Sequence, residues 1–176
     1  MERHARHLVL PQVGIEGQER LAKAKVFVVG AGGLGSPVLL YLAAAGIGTI
    51  GIIDDDRVDI SNLQRQVLHR TEDVGRLKVE SAKQQLLALD PNLSIVEHNE
   101  RLNPENALAL FSGWDIVVDG TDNIPTRYLI DDACHLLSIP WVYGSIHRFE
   151  GQISFFSTEH DRRYRDLFPE LSLIHI

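Results

Sequence analysis

Apolar positions along this chain follow two rhythms. Short continuous runs predict strands: residues 26–29 end at Gly30, as a buried parallel strand does, and residues 49–54 end in an acid. Helical spacing predicts helices. In 78–90, Val79, Ala82, Leu86 and Leu89 fall on one face, and Asp90-Pro91 stops the element. Residues 34–45 read as a tightly packed helix, with Pro37 in its first turn and Gly46 at its end. The same reading predicts strands at 93–96, 115–118 and 141–143, helices at 104–111 and 124–137, and an extended run at 152–157.

Strand alternating with helix predicts an α/β fold, a Rossmann-like, mostly parallel sheet with helices on both faces. Residues 1–22 read as a charged N-terminal arm containing a helix, and 23–170 as the sheet domain. Ligands of such sheets bind at the carboxyl ends of the strands, so the informative residues are those that follow them.

Composition narrows the classes. Apolar residues make up 44% and charged residues 23% of 176, which suits a globular domain with a real core. Seventeen basic against 24 acidic residues give a net charge of −7, which argues against a nucleic-acid or anionic-membrane surface. The longest apolar stretch, 38–45, is far short of the roughly 20 residues of a membrane span. The N-terminal MERHARHLVL has no apolar run of a signal peptide. One cysteine, Cys134, allows no intrachain disulfide and no Cys-based zinc site, in keeping with a cytoplasmic location. Its apolar helical neighbours make it a core residue rather than a nucleophile.

Gly30-Ala31-Gly32-Gly33-Leu34-Gly35 follows a strand and opens a helix. Its glycines allow a tight turn and let phosphate approach backbone N–H groups at the positive end of the helix. Asp54, Asp55 and Asp56 come about 20 residues later, where an acid can bond ribose hydroxyls. These features serve NAD and ATP alike. The next loops separate them. Ser61-Asn62-Leu63-Gln64-Arg65-Gln66 lies past the acids, Lys78 opens a helix, and Asp119-Gly120-Thr121-Asp122-Asn123 ends a strand. A triphosphate, about four negative charges with a pyrophosphate to release, needs cationic help that Arg65 and Lys78 can supply, and Asp122 can hold a magnesium ion. The plainer readings are a surface ion pair for Arg65, a helix cap for Asp122, solvated loop acids for Asp55, Asp56 and Asp59, surface positions for His4 and His7, and packing for Trp114, Trp141 and Tyr143.

GAGGLG at 30–35, DDDRVDISNLQRQ at 54–66, VGRLKVESA at 74–82, DGTDN at 119–123 and EGQ at 150–152 stand in the order and spacing of one family. Over about residues 1–168 the chain resembles the ThiF/MoeB/HesA adenylyltransferases of molybdopterin synthase and thiamine sulfur carriers, relatives of the ubiquitin-activating enzymes. The resemblance implies ATP-dependent adenylation of the C-terminal glycine of a small ubiquitin-fold carrier ending in Gly-Gly. It implies that Gly30, Gly32 and Gly33 line the nucleotide loop and that Asp54 binds ribose. Asn62, Arg65 and Lys78 would contact phosphates, and Asp122 would coordinate magnesium. Arg6 would reach the site of the other subunit of a homodimer. The Cys-x-x-Cys zinc pair of many molybdopterin-type members is replaced by Arg163-Tyr164-Arg165-Asp166, as in some relatives, which implies no zinc in this chain. Family members continue beyond this length, and Leu171-Ser172-Leu173-Ile174-His175-Ile176 resembles a translated sequencing adapter, so 171–176 is expected to be a non-native tail. An NAD-dependent oxidoreductase explains the glycine loop and acid but leaves SNLQRQ and DGTDN without a role; the third possibility is an inactive fragment or non-catalytic binding module.

Overall fold

A run of side chains with no polar member cannot lie on a wet face, and residues 26–29 and 50–53 occupy the middle of the sheet. The computed structural model describes residues 2–159 and 162–169. Its strands are β1 (Lys25–Val29), β2 (Thr49–Ile53), β3 (Ser94–His98), β4 (Ile116–Asp119), β5 (Trp141–His147) and β6 (Glu150–Phe156). They form one sheet in the order β3-β2-β1-β4-β5-β6. All neighbouring pairs are parallel except β5 and β6.

The helices are α1 (Ala5–Leu8), α2 (Gly14–Lys23), α3 (Gly35–Ala45), α4 (Lys78–Leu89), α5 (Ala107–Phe111), α6 (Ile124–Leu137) and α7 (Tyr164–Leu167). Successive strand residues point to opposite faces, and each face has its own helices. Val26, Val28, Ile50 and Ile52 pack with Leu39, Ala43, Val79 and Leu86 from α3 and α4. Phe27, Val29 and Val117 pack with Phe111, Ile130 and Cys134 from α5 and α6. Each such large side chain contributes roughly 1.5–3 kcal/mol by leaving water, so the two faces secure the sheet together. No helix among the described residues is long and apolar enough to cross a membrane.

The predicted α/β architecture is the one observed, and helix ends follow their punctuation. Gly46 caps α3 in the left-handed region, at φ 86°. Asn123 caps α6 by accepting from the Thr126 N–H at 3.0 Å, with Pro125 in the first turn. The fifth strand departs from prediction. It runs to His147, not Tyr143, and turns through Arg148 and Phe149 into β6. Gly144 and Ser145 interrupt the apolar pattern, but antiparallel pairing is made by the backbone and continues past them.

The N-terminal arm lies against the C-terminal ends of α3 and α4. Arg3 Nη1 donates to the Leu89 carbonyl at 2.6 Å, and Gln18 Nε2 to that of Ala45 at 3.0 Å. His7 Nδ1 stands 2.9 Å from Gln18 Oε1. His4 and His7 are stacked and half-buried there rather than on the open surface, because the helix end and Gln18 give them a seat. After β6, Tyr164 is buried among Trp141, Tyr143, Phe156 and Phe168. Arg163 pairs with Asp131 and Asp132, and Arg165 Nη2 lies 2.7 Å from Asp132 Oδ2, which fastens this segment to α6. The expected tail, 171–176, lies outside the described residues.

Candidate functional site

Three strand ends meet where the chain changes direction. Val29 stands opposite Ile53 on one side and Asp119 on the other, so Gly30, Asp54 and Gly120 leave the sheet side by side. Chain order runs from β1 outward to β2 and β3 on one flank, then to β4 and β5 on the other. The connecting loops diverge at that switch point and leave a crevice. It is a cavity of about 440 Å³. Gly30, Gly32, Gly33, Asp54, Asn62, Arg65, Lys78 and Asp122, eight residues singled out from separate stretches of sequence, all line it.

The glycine loop is built by close approach. Gly30 has φ 92°, and a Cβ at Gly35 would collide with the Gly30 carbonyl oxygen, so α3 can start against the strand end only with glycine there. Asp54 Oδ2 accepts the Ala31 N–H at 2.8 Å, and Oδ1 accepts that of Asp56 at 2.9 Å. The acid expected at a ribose therefore also braces the loop; each carboxylate oxygen keeps a lone pair for another donor.

Arg65 lies along the loop: a Cβ at Gly33 would meet its Cδ at 3.5 Å. Its Nη2 donates to Asn62 Oδ1 at 3.1 Å, joining two residues assigned to phosphate. Asp59 positions this stretch by accepting the Ser61 N–H at 2.8 Å, so it is a turn cap rather than a free loop acid. Lys78 is buried, with Nζ 2.7 Å from Asp56 Oδ2. Asp56 is thus no free acid either. A cation in the first turn of α4 opposes the helix dipole, and Asp56 offsets that.

Asp122 is exposed, faces the cavity, and has no cation paired to it among the described residues. Asn123 is the cap of α6, which leaves the Asp122 carboxylate for a ligand. A hard carboxylate with no paired cation fits magnesium. Asp54, Asp55 and Asp56 also approach one another, within 4.8 Å. Two of the three already hold backbone N–H groups or Lys78.

Sequence reasoning missed the support beneath Asp122. Asp119 is buried and accepts from the N–H and hydroxyl of Thr121 at 2.8 and 2.7 Å. Arg127 Nε stands 3.4 Å from Asp119 Oδ2, and its Nη2 donates to the Thr121 carbonyl at 2.9 Å. Burial raises the Asp119 carboxyl above its ordinary range, against the pull of Thr121 and Arg127. This pair sets the 120–123 loop. Gln66, Glu100 and Arg101 also line the cavity unforeseen. The first stands in SNLQRQ, but the others follow β3 with no motif to mark them.

Arg6 lines no part of the cavity. It is exposed in the arm, whose Gln18 is seated at the C-terminal end of α3, the end away from the glycine loop. Cys134 is fully buried; burial, aided by the nearby Asp131, pushes its thiol well up, so it stays neutral in the core.

A model of the ThiF family matches residues 4–172. The chain is 54% identical over 172 residues to the probable adenylyltransferase/sulfurtransferase MoeZ of Mycobacterium tuberculosis, covering 96% of this chain and 44% of that protein. It is 51% identical over 175 residues to the sulfur carrier protein adenylyltransferase of Thermus thermophilus, covering 97% and 65%. The chain thus spans from under half to about two-thirds of these relatives. Among solved structures, E. coli MccB with AMPCPP and MccA superimposes with a TM-score of 0.84 at 28% identity, over 93% of this chain and 50% of that one. PaaA gives 0.83 at 28% identity, over 94% and 54%.

Proposed function

The chain belongs to the ThiF family, and from that premise we propose that it is the ATP-binding part of an enzyme that adenylates a sulfur-carrier protein. The observation that carries this reading is the convergence of Arg65, Lys78 and Asp122 on the glycine loop in one cavity. A dinucleotide needs neither two cations nor a magnesium ligand about its phosphates; a triphosphate losing pyrophosphate is served by both. Relatives named as adenylyltransferases of a sulfur carrier, and MccB solved with AMPCPP and MccA, support the same reaction class.

The carrier's C-terminal glycine carboxylate attacks the α-phosphate; the new bond is an acyl–phosphate anhydride and pyrophosphate leaves. Two anions must meet, so the task is positioning and charge neutralisation, and the protein needs no nucleophile of its own. The N–H groups of Gly32 and Gly33 face the phosphates at the start of α3, and Asp54 takes the ribose. Asn62 holds Arg65 in place over the loop; Arg65 and Lys78 bind the phosphates and draw off the charge that develops on the leaving pyrophosphate. Asp122 would hold magnesium, which when bound would screen further polyphosphate charge. Arg6 reaches the cavity only from a second copy of the chain, so the working unit is a homodimer. Its substrate is a small ubiquitin-fold protein ending in Gly-Gly, in molybdopterin or thiamine sulfur transfer, in the cytoplasm.

ATP–pyrophosphate exchange that depends on such a carrier and disappears when its terminal glycines are removed is the expected result. Exchange that ignores the carrier terminus would refute the substrate, and hydride transfer to NAD would refute the reaction.

A further inference from the structure

His69 is buried, 5% exposed, and its ring bridges two walls of the cavity without lining it. Nε2 is 2.9 Å from the carbonyl oxygen of Ala31 in the glycine loop, and Nδ1 is 2.9 Å from Ser81 Oγ in α4. A carbonyl oxygen only accepts, so Nε2 carries the proton. Nδ1 stands at the Ser81 hydroxyl, which also faces the buried Asp73 carboxylate. Burial is the largest influence on this imidazole and lowers its pKa, which favours the neutral form.

Ala31 is held on both sides: its N–H by Asp54, its carbonyl by His69 and by Ser36 Oγ at 3.3 Å. The peptide joining Ala31 to Gly32 is planar and trans, so its C=O and N–H point in opposite directions. A carbonyl drawn inward to His69 turns the Gly32 N–H outward, and Gly32 lines the cavity. Glycine has no Cβ to resist rotation of that peptide, so its orientation needs an outside anchor.

We propose that His69 is a positioning residue: by holding the Ala31 carbonyl it aims the Gly32 N–H at the nucleotide's phosphate. It touches no ligand. Through Ser81 the same ring ties the glycine loop to α4, the helix that Lys78 opens, so loop and cation share one anchor. The proposal rests on the ATP reading of the cavity.

The test compares the wild-type chain with His69→Ala and His69→Gln, whose amide can still donate to Ala31. Equilibrium binding of ATP and of adenosine is measured, together with the Gly32 amide resonance in the nucleotide-free protein. His69→Ala weakens ATP about tenfold, the value of one hydrogen bond to a charged group, and leaves adenosine unchanged. It moves the Gly32 amide signal, and His69→Gln restores both. Equal weakening of ATP and adenosine, unchanged ATP binding, or an unmoved Gly32 amide would each overturn the proposal. Should His69→Ala fail to fold, the Gln variant decides: kept ATP affinity with a wild-type Gly32 signal supports the role, and lost affinity in a folded protein refutes it. A wild-type chain that binds no ATP refutes the ATP reading itself. In that event the Gly32 signal alone decides whether His69 sets the peptide.

Discussion

Arg65 and Lys78 reach the same cavity under different restraint. Arg65 is exposed and held by one hydrogen bond to Asn62; Lys78 is buried and paired with Asp56. Arg65→Ala should weaken ATP roughly 10- to 100-fold, since a hydrogen bond to a charged group contributes about 1.5–3 kcal/mol. Arg65→Lys should recover only part of that, because an ammonium lacks the planar fork of the guanidinium. Full recovery, read as Kd, would reduce Arg65 to a point charge. Gly35→Ala should destabilise the fold by about 3 kcal/mol or more, because the strand end and helix start cannot move apart without breaking the loop. Thermal unfolding checks it, and an unchanged Tm would show that the loop yields. The residues proposed to bind were legible because their motifs are local runs of sequence. The residues that hold them were not: His69 meets a carbonyl 38 positions away, and Arg127 reaches back to Asp119 with nothing in DGTDN to announce it. Such pairs exist only once the sheet has set its neighbours.

At the scale of elements, the short apolar runs identified the strands of the parallel core, because strands buried on both faces have no other pattern available. The end of the sheet was less legible. The β5–β6 ladder extends through Gly144, and α7 is fastened by ion pairs between residues 31 to 33 positions apart. The Asp131–Asp132–Arg163–Arg165 cluster carries a pH prediction. Burial raises the Asp132 carboxyl, but hydrogen bonds and charge from Arg165 and Arg163 outweigh it and leave it below its ordinary range. A carboxyl lowered by folding contributes stability above the unfolded-state pKa and loses it as pH falls through the folded one. The segment 162–169 should therefore hold at neutral pH and loosen in acid below the ordinary Asp range. Trp141, stacked on Phe156 and near Tyr164, reports it in a Trp114→Phe background. Its fluorescence should change before global unfolding, and Asp132→Asn should abolish that early step; a single transition in both proteins would show that the segment has no separate dependence on the cluster.

Across the whole molecule, the sheet separates two ends. The cavity opens where the parallel strands finish, and the arm carrying Arg6 is seated at the C-terminal ends of α3 and α4. The far position of the arm could not be read from the sequence, since it depends on Arg3 and Gln18 finding the ends of two helices. It makes a proposal about assembly testable. In mixed dimers of Arg6→Ala and Arg65→Ala chains, one cavity has its own Arg65 and the partner's intact arm. Carrier-dependent exchange in the mixture should exceed that of either variant alone; no recovery would remove Arg6 from the reaction. What the cavity binds tests the ATP reading most directly. Calorimetric titration of the chain with Mg·ATP and, separately, with NAD should show Mg·ATP binding that weakens on Arg65→Ala and on Asp122→Ala, and no comparable binding of NAD. Binding of NAD, or of Mg·ATP indifferent to both substitutions, would contradict it.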